Sequence, residues 1–398
     1  MTKTNRWLLP DGVDEILPPQ ANNLETLRRD ILNLYRSWGY ELVITPLIEF
    51  LDSLSIVPGE DLQLETFKVV DQLSGRTMGI RADITSQVAR IDAHVMKKNA
   101  PNRLCYADSV LRTKPSVMLG SRSPYRIGAE LYGHSGIDSD LEIISLMLET
   151  LKLAEVGQVQ LALGHVGIYR SLIAHADLDT ELERKLFAAL QSKSEKDIDD
   201  LLVNLKTNGG LLEMLKVLPK LSGDETILDT AEQVLSKAPD SVREDIAQLR
   251  RLSQALKVRY PEQSLYFDLS ELRGYEYHTG VVFAAYTTGF GTSIAKGGRY
   301  DDIGKDFGRA RAATGFDSDL KNLLALSKRE FSVTEKIMAP ANDDNELQAF
   351  IETLRAQGKQ VLTALSTEDN SGDSASAQEL GCTQEIVQLD GKWTLNPL

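Results

Sequence analysis

Apolar residues recur at helical spacing from Ala21 to about Ser37, with Leu24, Leu27, Ile31, Leu34, Tyr35 and Trp38 on one face and Gly39 ending the run. The pattern predicts a long amphipathic helix. The β-branched stretch from Tyr40 to Glu49 follows and predicts a strand, with Pro46 at an edge or bulge. Thr66 to Asp71 and Thr77 to Ile80 read as a hairpin about Ser74-Gly75-Arg76, and Leu104 to Leu111 and Pro124 to Gly133 as a second pair of strands around a loop. Asp138-Ser139-Asp140 reads as the N-terminal cap of a helix from Leu141 to Leu153, and Val159 to Gly164 as a buried strand. From Ile168 to about Tyr260 the chain becomes rich in Leu, Ala, Glu and Lys, broken at Asn208-Gly209-Gly210, Ser222-Gly223 and Pro239, which predicts a helical insertion. Val281 to Tyr286 and Thr292 to Ala295 flank the turn Gly289-Phe290-Gly291 as an antiparallel hairpin, and Leu320 to Leu326 is a short helix. The tail from about Phe331 predicts a helix over Leu347 to Leu354, a strand over Lys359 to Leu365, a polar loop over Thr367 to Ser376, and short strands over Glu385 to Leu389 and Lys392 to Leu395.

At 398 residues the chain exceeds one typical domain, and 42% hydrophobic with 26% charged residues is the balance of a soluble globular protein. No apolar run approaches the length that spans a bilayer, and MTKTNRWLLPDG lacks the apolar core of a signal peptide, so a cytoplasmic chain with no membrane partner is expected. The formal charge of −14 argues against a strongly basic nucleic-acid surface. Cys105 and Cys382 are far apart and the five histidines are scattered, so neither a disulfide nor a structural metal is expected.

The candidate chemistry centres on the second hairpin. One strand is preceded by Arg273-Gly274-Tyr275-Glu276-Tyr277-His278-Thr279-Gly280, and the other runs into Lys296-Gly297-Gly298-Arg299-Tyr300-Asp301. Paired glycines let a backbone approach a ligand, a guanidinium matches a carboxylate or phosphate, and Tyr and His rings supply flat walls with polar tips. Either motif alone reads more simply as a strand end with turn glycines, and it is the two together that point to a pocket. Further along, Arg81-Ala82-Asp83-Ile84-Thr85 sets an acid and a hydroxyl two residues apart at a helix start. That pair suits an ammonium ion, and it equally suits an N-cap.

These residues carry a resemblance. LRGYEYHTG and KGGRYDD resemble the two signature motifs of histidyl-tRNA synthetases, roughly RGLDYY and GGRYD. The helix and strand ending in Pro46-Leu47-Ile48-Glu49 resemble motif 1 of class II synthetases, which in that family builds a homodimer interface. By the resemblance, Asp83 and Thr85 stand where Glu and Thr hold an amino acid's ammonium group. Arg112 takes the place of the arginine on the ATP α-phosphate, Glu130 that of the carboxylate accepting from an imidazole, and Arg126 replaces a glutamine at the substrate carboxylate. Arg273 would join Arg126 there, Tyr275, Tyr277 and His278 would form a ring wall, and the Gly297-Gly298 backbone would lie alongside. The departures fall on the ATP side. Thr113-Lys114 replaces the acidic partner in motif 2, and Ser318, flanked by Asp317 and Asp319, replaces the arginine of motif 3, leaving Lys321 as a possible substitute. In the tail, acidic residues outnumber basic ones about three to one, and it looks too small and too negative to read an anticodon.

The resemblance thus implies an α+β, class II synthetase-like antiparallel sheet flanked by helices. Residues 1–167 and 263–330 would form the synthetase-like domain, 168–262 a helical insertion and 331–398 a small C-terminal α/β remnant. The spellings RADIT, GAELYGH and RGYEYHTG are closer to the regulatory subunits of ATP phosphoribosyltransferase than to the synthetases. That family implies a non-catalytic histidine sensor without a cofactor. It would have a homodimer core within a hetero-octamer formed with the short-form catalytic subunit, L-histidine as allosteric ligand, and no tRNA. The competing readings are a true histidyl-tRNA synthetase, or a synthetase-like enzyme that aminoacylates a protein or metabolite. Both need ATP activation, which the departures oppose.

Overall fold

The computed structural model describes residues 7–54, 64–115, 120–176, 178–203, 209–272, 274–275, 277–305, 307–332, 335–365 and 377–398. Two compact units divide the chain, 1–329 and 330–398.

The first unit opens with α1 (Gln20–Ser37), which buries Leu27, Ile31 and Tyr35 on one stripe. β1 (Glu41–Leu42), β2 (Ile48–Phe50), α2 (Leu51–Leu54), β3 (Phe67–Val70), β4 (Thr77–Ile80) and α3 (Thr85–Arg90) follow. A π-helical turn, Ile91–Met96, continues α3, and the sequence pattern did not announce it. Then come β5 (Asn102–Ser109), β6 (Tyr125–Tyr132), α4 (Ile137–Leu153) and β7 (Val159–His165). The next stretch is α5 (Val166–Ala174), α6 (Thr180–Gln191), α7 (Glu195–Leu202), α8 (Gly209–Val217), the two-residue strand β8 (Ser222–Gly223), α9 (Thr226–Val234) and α10 (Asp240–Arg259). β9 (Ser264–Asp268), β10 (Val281–Thr287), β11 (Ala295–Arg299), β12 (Ala313–Asp319) and α11 (Leu320–Leu326) complete the unit.

Nine strands form one sheet in the order β1-β5-β6-β12-β11-β10-β7-β9-β8, antiparallel except where β1 joins β5 and β7 joins β9. β2, β4 and β3 form a separate antiparallel sheet. The Tyr35 ring of α1 meets Phe316 of β12 edge-on at 6.0 Å, so this helix packs on the middle of the large sheet. Because side chains alternate along a strand, the face opposite Phe316 is set by register. Gly315 pairs with Glu130 and Gly298, Glu130 with Leu104, and Gly128 with Tyr106. Tyr106, Arg126, Glu130, Gly298, Gly315 and Asp317 therefore share one face.

Three expectations are corrected. The strand expected from Tyr40 to Glu49 is broken into β1 and β2, which belong to different sheets. The buried Arg81 guanidinium takes both the carbonyl and the hydroxyl of Thr45 at 2.7 Å, and Pro46 has no N–H to continue a ladder. The second strand of the central hairpin starts at Ala295 rather than Thr292, so Lys296-Gly297-Gly298-Arg299 lies inside β11 and not beyond it. Pairing with β12 on its other edge holds the glycines in the ladder. Asp138-Ser139-Asp140 does not cap a helix; these residues form the first turn of α4, and Asp140 is wholly buried against Arg299.

The second unit has β13 (Lys336–Ala339), α12 (Asn345–Ala356), β14 (Gln360–Thr363), β15 (Gln384–Leu389) and β16 (Lys392–Pro397). Its sheet runs β14-β13-β15-β16, and Leu347, Ile351 and Leu354 of α12 share a core with Ile337, Val361 and Ile386. The polar loop expected at Thr367 to Ser376 lies outside the described residues. Among the described residues no helix is long and apolar enough to cross a membrane.

Candidate functional site

The shared face of β5, β6, β12 and β11 is cleared of side chains at the points where glycine stands. A Cβ on Gly315 would lie 1.5 Å from Glu130 Oε2, and one on Gly128 would lie 2.4 Å from the Tyr106 hydroxyl. Glu130 is 1% exposed. Thr85 Oγ1 and the Tyr106 hydroxyl donate to its Oε1 at 3.2 and 3.3 Å, while the Tyr300 hydroxyl donates to Oε2. Burial pushes the Glu130 carboxyl up to about 8, the three hydroxyls pull against that shift, and the nearby Asp83 charge adds to it.

Thr85 reaches the face because Arg81 anchors the loop before α3. Besides Thr45, its guanidinium binds the Ser109 carbonyl at 2.9 Å and Asp108 at 2.8 Å. Asp83 accepts the Thr85 N–H at 3.2 Å, so part of the capping alternative is realised. Arg126 is largely buried and pairs with Asp317 on the neighbouring strand, yet its Nε has no hydrogen-bond partner among the described residues. Burial, then the nearby Arg112 charge, lower its basicity. An unsatisfied guanidinium N–H on this face is a donor waiting for an acceptor. Tyr277 joins the same group, with its ring 6.4 Å from Tyr300, and burial raises its hydroxyl pKa, reinforced by the charges of Asp83 and Glu130.

Other residues singled out in the sequence are placed elsewhere. The Tyr275 ring is packed between Tyr169 and Phe187 on the helices, at 5.2 and 5.3 Å, and is not part of a wall with Tyr277. His278 is buried, its Nδ1 3.2 Å from the Arg299 carbonyl, and its ring fills the space over Gly298, where a Cβ would come within 2.8 Å. Burial pushes its pKa down to about 4, so it is neutral. Register puts Gly298 on the face of Glu130 and Gly297 on the opposite one. Arg273 lies outside the described residues.

The cations on the side expected to meet ATP are internally engaged. Arg112 Nε donates to the Ala82 carbonyl at 3.1 Å and lies 3.5 Å from Glu65, an acidic partner that comes from far upstream. Lys321 binds Asp14 at 3.1 Å. Sequence reasoning missed Tyr106, Tyr300 and Gly315 as parts of the cluster. Tyr300 stood inside a quoted motif, but only register reveals which carboxylate it meets. A separate surface cavity of about 580 Å³ is lined by Trp38, Gly39, Arg103, Asp138, Leu141, Glu142 and Arg259 and shares no residue with this cluster. Its arginines are engaged too, Arg103 with Glu142 and Arg259 with Ser145.

Comparison with known proteins agrees with this architecture. Residues 12–323 match the family model of histidyl-tRNA synthetase, and 334–396 match that of the ATP phosphoribosyltransferase subunit HisZ C-terminal domain. Proteins named ATP phosphoribosyltransferase regulatory subunit are similar along their whole length. That of Stutzerimonas stutzeri is 52% identical over 399 residues and that of Chromohalobacter salexigens 48% over 398, each covering 100% of both chains. A crystal structure from Bacillus halodurans, described as an ATP phosphoribosyltransferase regulatory subunit/histidyl-tRNA synthetase, superposes with a TM-score of 0.81 at 25% identity, covering 96% of this chain and 97% of that one. The histidyl-tRNA synthetase of Nostoc sp. PCC 7120 shares the fold with a TM-score of 0.77 at 17% identity, covering 98% of this chain and 97% of that one. The expected class II synthetase-like fold is therefore present, and the chain belongs to the family of ATP phosphoribosyltransferase regulatory subunits.

Proposed function

We propose that this chain is the non-catalytic, cytoplasmic subunit that binds L-histidine, activates the short-form catalytic subunit of ATP phosphoribosyltransferase and mediates feedback inhibition of the first step of histidine biosynthesis. The observation that carries the reading is the buried Glu130, ringed by three hydroxyls on a face cleared by glycines. An imidazole N–H would donate to Glu130. The ammonium group would take Asp83 and Thr85, and the carboxylate the Nε–H of Arg126, with Arg112 and Arg273 as the further partners that the resemblance implies. Tyr277 would close over the ring, backed by the neutral His278 that packs over Gly298.

Histidine binds one of two arrangements of the complex more tightly, and that arrangement holds the catalytic partner less active. Linkage then makes the partner's substrates and histidine alter each other's affinity reciprocally. No aminoacylation follows, because activation depends on cations aimed at the triphosphate. Here Lys321 and Arg112 face Asp14 and Glu65, and Ser318 donates its hydroxyl to the Ile294 carbonyl. Exposed Leu42, Ile44 and Leu47, at and just after the edge strand β1, support a homodimer within the hetero-octamer.

Calorimetric titration with L-histidine, alone and with ATP and magnesium, tests the proposal. Histidine binding without ATP binding is the expected result. Histidine-dependent pyrophosphate release would overturn it in favour of a working synthetase.

A further inference from the structure

The loop joining β9 to β10 faces two ways. Its later half belongs to the amino-acid cluster. There Tyr277 stands by Tyr300, the Thr279 N–H donates to the Arg299 carbonyl at 2.7 Å, and the Thr279 hydroxyl accepts the Asp301 N–H at 3.0 Å. Its earlier half is clasped by α5 and α6. The Tyr275 ring packs on Tyr169 and Phe187, the Arg170 guanidinium lies 4.9 Å over that ring, and the hydroxyl donates to Glu183 at 3.3 Å. Arg170 also donates to the Tyr275 carbonyl. Just before Tyr275, Gly274 sits at φ +67°, and its carbonyl accepts the N–H groups of Tyr277 and His278 at 3.0 and 2.8 Å, closing a turn that contains Tyr275. A Cβ there would come within 2.6 Å of His278 and 2.8 Å of Tyr277, so the turn has no slack. A shift of Tyr277 is therefore passed to Tyr275 unless the turn itself breaks.

We propose that Tyr275 is a positioning residue that ties occupancy of the amino-acid pocket to helices α5 and α6, making the helical region the element that first feels the ligand. Tyr275 touches no ligand in this scheme; it holds the loop that presents Tyr277. The inference rests on the histidine reading above.

The test uses the full chain. Histidine affinity is measured by calorimetry, and amide hydrogen exchange of the peptide covering 180–191 is followed with and without saturating histidine. In the unmodified chain, histidine slows exchange in α6. Tyr275→Ala weakens histidine about tenfold, within the range for positions along a coupling network, and removes the α6 response. Tyr275→Phe, which keeps the ring and loses only the hydroxyl contact to Glu183, restores both. Should Tyr275→Ala fail to fold, Phe187→Ala removes one side of the clasp without touching the loop and gives the same readout. Equal affinity and an equal α6 response in the unmodified chain and the variants overturn this inference alone. Absence of histidine binding to the unmodified chain overturns the histidine reading and this inference with it.

Discussion

At the scale of single residues, Glu130 governs the behaviour of the site. A buried carboxyl ringed by hydroxyl donors is poised to accept from one more donor, and removing it deletes that acceptor. Glu130→Ala is expected to weaken histidine binding by on the order of 1–3 kcal/mol, read by calorimetry; unchanged affinity would remove Glu130 from the site. Its pH signature is separate. Burial raises the folded-state pKa to about 8, against roughly 4.3 for an exposed glutamate. Below the lower value both states are protonated, and the carboxyl costs nothing in ionisation. As pH rises through the window, the unfolded chain releases the proton and the folded chain retains it, so stability falls until the folded pKa is passed. Thermal melting between pH 5 and 9 (roughly the window set by those two values) is therefore expected to fall less steeply in Glu130→Gln than in the unmodified chain. Parallel pH profiles would mean that Glu130 is ionised in the folded protein. Gly315 is the complementary case. A methyl group there meets the Glu130 carboxylate at 1.5 Å, so Gly315→Ala should lose about 1–3 kcal/mol in urea denaturation and abolish histidine binding.

At the scale of elements, the KGGR motif has a structural task beside any ligand. Arg299 is 4% exposed and binds Asp140 through Nε and Nη2, and also Ser139, the His134 and Gly136 carbonyls and Asp301. It thereby fastens the first turn of α4 to the end of β11. Removing Asp140 leaves the buried guanidinium with only the single contact to Asp301 as counter-charge, so Asp140→Ala is expected to cost about 3 kcal/mol of stability by chemical denaturation, the lower end for a broken buried pair. A loss within the range of surface substitutions would show that water replaces the pair. The same elements show how far local pattern carries. Local pattern located α1, β10 and α11 to within one or two residues, because α1 buries one stripe of its own sequence and β10 is a short, continuously apolar, buried run. The 40–49 segment and β11 were misjudged because their boundaries depend on distant partners, Arg81 for the first and β12 for the second.

At the scale of the whole molecule, the large sheet ends in β1, whose outer edge carries Leu42 at 47% exposure, with Ile44 at 80% and Leu47 at 51% just beyond it. An apolar rim beside an unpaired strand edge invites a second copy. Ile44→Glu is expected to shift the chain from dimer to monomer in sedimentation velocity at micromolar concentration; an unchanged dimer would move the interface elsewhere. The sequence by itself determined the class of fold and the family, and it singled out Glu130 and Thr85 of the residues that meet there, because hydrophobic period and motif spelling are local properties of a chain. Only the tertiary structure decided which of those residues share a face. Strand register joined Tyr106, Glu130, Tyr300 and Gly315, residues up to 209 positions apart counted from Tyr106 to Gly315, while packing against Tyr169 and Phe187 took Tyr275 to the helices. Register is a relation between strands, and a pattern read along one strand does not contain it.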